Sequence, residues 1–250
     1  MRSGHRHHDD PYLAGRRNMM QDATQSGAPI EFWFDFASGY AYFAALDIDA
    51  MAQRNGRSVL WRPFTLGAAF KVTGAQGLSR TPLKREYAWR DWQRIARGKD
   101  VPFNPPVGHP LTGLPAIRAV YHVEQKDANA APLLAKDIIL SYFREGLNID
   151  EPQAIANLAH FIGFEPEFIL AGINDPQIKA LARAHCDQAI ARGVFGSPWI
   201  FVDDEPFWGY DRLSMVEQWL TEGPWLASLL ACGGLAVVCM LELTLPTAMA

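Results

Sequence analysis

Three short segments carry the side chains best suited to chemistry. The first, Ala37-Ser38-Gly39-Tyr40, lies between an apolar alternating run and a helical pattern. A hydroxyl at such a turn sits beside unpaired backbone N–H groups and the positive end of the helix dipole. It can cap the helix, or it can donate a hydrogen bond to an anion held there. The second, Gly193-Val194-Phe195-Gly196-Ser197-Pro198-Trp199, sets a proline directly before an apolar strand. It allows a cis peptide whose Ser197 N–H and C=O pair with an extended ligand, or an ordinary trans proline entering an edge strand. The third is Phe207-Trp208-Gly209-Tyr210-Asp211-Arg212-Leu213, where the Asp211 carboxylate either caps a helix or receives an ammonium group.

The elements that must position these segments follow from periodicity. Residues 30–36 alternate with Ile30, Phe32, Phe34 and Phe36 on one face, and Trp33 on the other predicts a strand covered on both sides. A helix is predicted over 40–53 and a second strand over 58–64, together a right-handed βαβ unit with parallel strands. Helical spacing recurs near 82–97, 113–127, 132–145, 151–162 and 166–172, with Asp150 as the N-cap of the segment that Gly163 closes. Asp175-Pro176 opens a longer helix ended by Gly193, while the Pro-rich 101–110 is a loop. Trp199–Val202 and Pro206–Trp208 read as strands joined at Asp203-Asp204, and Asp211 precedes a final helix.

The order β-α-β, helices, β-β-α is that of an α/β, thioredoxin-like fold with an inserted all-helical domain. The expected organisation is 29–70 and 186–224 for the thioredoxin-like part and 71–185 for the helical insertion. In such a fold the turn after the first strand is the functional position, and redox members place cysteine there. Here it holds Ser38, which cannot exchange thiols but can hydrogen-bond a thiolate brought by a ligand.

Taken together, F-D-F-x-S (Phe34, Asp35, Phe36, Ser38), WRPF (61–64), VPF (101–103), VFGSP (194–198) and FWGYDRL (207–213) resemble the 2-hydroxychromene-2-carboxylate isomerase family. That family is glutathione-dependent and close to kappa-class glutathione transferases. The resemblance implies glutathione as cofactor, with Ser38 hydrogen-bonding its sulfur and Ser197, beside a cis Pro198, clamping the cysteinyl unit. It implies that Trp208, Gly209, Tyr210 and Asp211 hold the γ-glutamyl end. Arg62, Pro63 and Tyr87 match positions near the acceptor pocket for a small aromatic substrate, and Lys71 is an anion contact. The expected reaction is reversible thiolate addition to a ring-opened aromatic pyruvate, rotation and elimination. The alternatives are a kappa-like transferase conjugating electrophiles and a non-catalytic glutathione- or protein-binding module. A homodimer is implied by resemblance only. Gly39 stands where the family often has proline, which predicts a looser turn, and Tyr210 where asparagine is frequent.

Composition narrows the remaining classes. In 250 residues, 23 basic against 27 acidic side chains give a net charge of -4 and no general attraction to nucleic acid. The basic, aromatic stretch 80–99 also carries Glu86 and Asp91, and reads as a solvated helical face. Cys186, Cys232 and Cys239 include no C-x-x-C pair, which removes dithiol chemistry and fits a reducing cytoplasmic compartment; Cys186 reads as a small core residue. His109, His122, His160 and His185 share no metal spacing and are expected at the surface or at caps, so no metal site is expected. Residues 1–28, with His5, His7 and His8, form a polar tail without a signal-peptide core. Residues 225–241 are 17 residues without charge, short of the roughly 20 a spanning helix needs and interrupted by Gly233-Gly234. An apolar C-terminal extension over 225–250 is therefore expected in preference to a membrane contact.

Overall fold

The computed structural model describes residues 27–224. The expectations for the two tails, including Cys232 and Cys239, lie outside the described residues. Four strands form one mixed sheet: β1 (Ile30–Phe34), β2 (Val59–Pro63), β3 (Trp199–Val202) and β4 (Glu205–Trp208). Their order is β2-β1-β3-β4, with β1 parallel to β2 and antiparallel to β3. The β3–β4 hairpin turns at Asp203 and Asp204, both at positive φ (51° and 69°), as a two-residue turn of matching twist requires.

Both faces of the sheet are covered. Phe32, Phe34, Trp61, Ile200, Val202 and Phe207 enter the main core with α1 (Gly39–Arg54). Trp33, Trp199 and Phe201 form a second cluster with Phe64, Ala189 and Val194. After β2 the chain leaves the sheet for α2 (Leu66–Thr73), a 3-10 turn (Leu78–Arg80), α3 (Lys84–Lys99), α4 (Leu114–Lys126), α5 (Ala130–Glu145), α6 (Pro152–His160), α7 (Pro166–Asn174) and α8 (Pro176–Ala191). It returns through β3 and β4 to a 3-10 turn (Tyr210–Arg212) and α9 (Leu213–Glu222). This is a thioredoxin-like fold with a helical insertion. Residues 70 and 186, expected at the ends of the sheet domain's two parts, lie inside α2 and α8, so helices bridge those junctions.

Several local expectations are corrected. α2 has no apolar period longer than two turns, which left it unread in the sequence. The N-cap of α6 is Glu151, whose side chain accepts from Gln153 N–H; Asp150 instead accepts from Thr112 and Gly113 of the α3–α4 loop. Asp211 does not cap α9, whose N-cap is Arg212, because a 3-10 turn intervenes.

Three of the four histidines pack on rings rather than capping or facing solvent. His185 stacks on Tyr121 (centroids 4.3 Å apart) and His122 on Phe168 (4.1 Å), while His109 lies among Trp89, Trp92, Tyr142 and Phe143. Among the histidines of the described residues only His160, in the last turn of α6, is exposed. Burial lowers the pKa of His109 from 6.5 to about 4. Between those values the unfolded chain binds a proton that the folded one refuses, so stability falls as pH falls through this window. Relative to His109→Gln, the wild type is expected to lose up to about 1.4 kcal/mol per pH unit below pH 6.5 in urea denaturation, while Asp35, raised to about 6, contributes with the opposite sign in both proteins. His109→Gln should flatten that slope; equal slopes in variant and wild type would refute the assignment.

Candidate active site

The end of β1 is tied to the strand-entry loop by hydrogen bonds across more than 150 residues of sequence. Asp35 N–H donates to Ser197 Oγ (2.9 Å), and Ser38 Oγ–H donates to the Ser197 carbonyl (2.8 Å). The Ser197–Pro198 peptide is cis, as expected for this fold, and Pro198 O accepts from Gly209 N–H (3.0 Å). One loop thus joins the Ser38 turn to the Trp208–Asp211 segment. Ser38 is also the N-cap of α1, its oxygen accepting from Ala41 N–H (3.3 Å). No acidic residue stands in the first turn of the helix itself, so the positive end of α1 faces the turn.

Asp35 enters the sequence analysis only within F-D-F-x-S, and the structure gives it a larger place. One carboxylate oxygen accepts from Ala37 N–H (2.8 Å), closing the Ser38 turn, and the other from Leu66 N–H (2.8 Å), fixing the start of α2. Burial raises its pKa from 3.8 to about 6, against the opposing pull of those two N–H groups. The signal that could have found it is an acidic residue at the end of a strand buried on both faces.

The turn opens onto a cleft of about 1570 Å³. Six of the residues assigned to glutathione border it: Ser38, Ser197, Trp208, Gly209, Tyr210 and Asp211. Pro198 stands behind, as the cis partner of Ser197. Gly209 has φ 109°, and a Cβ there would approach Asp211 Oδ1 to 2.5 Å, so the Asp211 carboxylate needs glycine beside it. That carboxylate is exposed and pairs with Arg212 (2.8 Å). Of the four residues assigned to the acceptor, Lys71 and Tyr87 border the cleft. Arg62 and Pro63 do not: Arg62 pairs with Glu124 of α4 (2.7 Å), and the Pro63 carbonyl accepts from Tyr121. The rest of the wall includes Leu66 and Phe70 of α2 and Leu78, Ser79, Arg80 and Trp92 of the insertion; α2 and the 3-10 turn are too short to show a period, and the stretch 80–99, expected as a solvated face, instead buries Trp92 against Gly39.

Gly39 does not leave the turn as loose as the missing proline suggested. It is buried, and a Cβ there would come within 2.6 Å of the Trp92 indole, which fills the space. Tyr40 stacks edge-on against Trp92 (5.8 Å) and donates to Asp91 (2.8 Å), holding α3 over the start of α1. Among the described residues there is no group of side chains able to hold a metal ion and no helix long and apolar enough to cross a membrane.

This fold and this cysteine-free turn define a class. The DSBA-like thioredoxin domain family matches residues 29–221, and the chain belongs to it. Among curated relatives it is 29% identical over 198 residues to a 2-hydroxychromene-2-carboxylate isomerase of Sphingobium xenophagum, covering 77% of this chain and 98% of that protein. It is 24% identical over 207 residues to glutathione S-transferase kappa 1 of Caenorhabditis elegans, covering 77% and 91%. A solved 2-hydroxychromene-2-carboxylate isomerase superposes with a TM-score of 0.69 at 23% identity, covering 82% of this chain and 98% of that one.

The Gly39–Trp92 contact is directly testable. Gly39→Ala should cost about 1–3 kcal/mol of stability, as overpacking does, and Gly39→Ala with Trp92→Leu should recover part of it. Additive losses in urea denaturation would show that the two residues are not in contact.

Proposed function

We propose that this protein is a glutathione-dependent isomerase of the 2-hydroxychromene-2-carboxylate type. The observation that carries the reading is the Ser38 hydroxyl at the N-terminus of α1, hydrogen-bonded to the carbonyl of a cis Ser197–Pro198 peptide, where redox relatives of the fold have cysteine. Relatives named for this isomerase and for kappa transferases support it.

The residues present fit the tripeptide. The buried Ser197 offers a backbone edge for a cysteinyl unit, and Asp211 lies in reach of an ammonium group on the same cleft. Lys71, Arg80 and Arg212 supply positive charge for carboxylates. Bound glutathione supplies the nucleophilic sulfur, which adds reversibly to the conjugated carbon of an unsaturated, ring-opened aromatic pyruvate.

Ser38 holds that sulfur as a thiolate without itself becoming a nucleophile. Its single proton is donated to the Ser197 carbonyl. With the tripeptide bound, the Ser197 carbonyl would accept from its peptide N–H, which would free the Ser38 hydroxyl to hydrogen-bond the sulfur. The α1 N-terminus adds its partial positive charge, in a cleft where Leu66, Phe70 and Trp92 reduce the screening by water. The same residues orient the acceptor, and its carboxylate falls to Lys71 and Arg80.

The kappa-like alternative needs no elimination, and product mass separates the two: an isomer keeps the mass of the substrate, whereas a conjugate gains glutathione. With hydroxybenzylidenepyruvate as substrate, we expect an absorbance change that requires glutathione and leaves the mass unchanged. Ser38→Ala should lower kcat about 100-fold or more, the scale for losing one donor at a developing anion. Turnover indifferent to glutathione or to Ser38→Ala would remove this reading. Glutathione binding with no turnover of any acceptor would favour a binding module.

A further inference from the structure

A second hydroxyl on the same cleft has a built support behind it. Ser79, on the 3-10 turn Leu78–Arg80, borders the cleft, and His109 Nε2 stands 3.2 Å from its Oγ. His109 Nδ1 in turn lies 2.9 Å from the hydroxyl of Tyr142 on α5. The Tyr142 oxygen also accepts from Leu111 N–H (3.2 Å). Sequence reading placed none of these three in a site.

The directions of the protons follow from counting donors. Leu111 N–H already donates to the Tyr142 oxygen, and the acceptor the structure gives the phenol's own proton is His109 Nδ1. The imidazole lies among Trp89, Trp92 and Phe143, which enclose it in ring surface and keep it neutral. A neutral imidazole that accepts at Nδ1 carries its proton on Nε2 and donates it to Ser79 Oγ. Ser79 then accepts from behind, and its own proton is left to point into the cleft. In the opposite tautomer Ser79 would give its proton to His109 as an activated nucleophile does. That would strand the buried Tyr142 proton without an acceptor.

We propose that Ser79 is a catalytic hydrogen-bond donor to the keto oxygen of the acceptor, and that His109 and Tyr142 are positioning residues that aim its proton. The assignment rests on the isomerase reading. Adding a nucleophile to the conjugated carbon moves the π electrons of the double bond onto the keto oxygen; elimination returns them. Ser79 keeps its proton throughout, so no oxidant or further acid is needed. A chain of hydrogen bonds feeding one donor polarises it, which favours the charge of the adduct over the neutral ketone. Arg80, next in sequence and on the same cleft, is placed for the adjoining carboxylate.

Three measurements test this. Long-range 1H–15N spectra of the imidazoles, with His109→Gln for assignment, should show the His109 proton on Nε2 at neutral pH. Tyr142→Phe should move it, wholly or in part, to Nδ1. A wild-type proton on Nδ1 overturns the proposal. With hydroxybenzylidenepyruvate and glutathione, Ser79→Ala should lower kcat about 10–100-fold and Tyr142→Phe should do so in the same direction, while Ser79→Thr retains most of it and the Kd for glutathione is unchanged in all three. Unchanged kcat in Ser79→Ala overturns it.

Finally, hydroxybenzylidenepyruvate binding to glutathione-free protein, followed by tryptophan quenching, should weaken several-fold in Ser79→Ala. Should the wild type bind this acid but never turn it over, the isomerase reading falls. The placement of Ser79 against the keto oxygen then stands or falls on the binding comparison.

Discussion

The structure depends most on the hydrogen bonds that join Asp35, Ser38 and Ser197. They link three stretches of chain that the sequence keeps apart: the end of β1, the start of α2 and the entry to β3. Each bond alone contributes about 1 kcal/mol net, but leaving any of these buried groups unpaired costs more. The Asp35 carboxylate shows the trade. Two backbone N–H groups favour its charge and burial opposes it, and burial is the larger effect, since its pKa ends near 6. A group that costs this much to ionise is kept where its geometry is worth more than its solvation. Here the geometry is that of the Ser38 turn.

That network also sets a competition for one proton. Ser38 cannot donate to the Ser197 carbonyl and to a bound sulfur at once, since a hydroxyl carries a single hydrogen. A ligand able to satisfy that carbonyl through its own N–H releases the hydroxyl; a bare thiol does not. On the proposed reading, a peptide thiol is therefore preferred over a simple one by the backbone of residue 197 as well as by pocket contacts.

What the sequence made legible were the parts with strong local signals. Alternation in 30–36 marked β1 and the Pro-Gly punctuation marked most helices, while the Ser-Pro step before an apolar strand left cis and trans open locally and only the family resemblance implied the cis peptide found at residue 197. The cleft's far wall was not legible, for physical reasons. α2 is eight residues long, and the 3-10 turn carrying Ser79 is three, too short for any period to emerge. Arg62 matches a position near the acceptor pocket in the family that the sequence resembles. Nothing local to β2 revealed that Glu124, 62 positions away, would claim its guanidinium. His109 looked like a loop histidine, since its enclosure comes from α3 and α5 and not from its neighbours in sequence.

The helical insertion is therefore part of the site and not an ornament on the sheet domain. Trp92 of α3 packs on Gly39 at the first position of α1, where a side chain would collide with it. That contact replaces water at the positive end of the helix with an indole, and a dipole acts more strongly on an anion where water is excluded. A proline at this position would stiffen the turn from within its own ring. This chain holds the turn from outside, with the Asp35 carboxylate below and the Trp92 ring above. The cost is that the turn's geometry is tied to the packing of α3. A change in the cleft wall that α3 lines is then felt at Ser38 through Trp92. On the proposed reading, acceptor choice and sulfur activation share a single indole, which couples the two halves of the cleft more tightly than the sheet alone could.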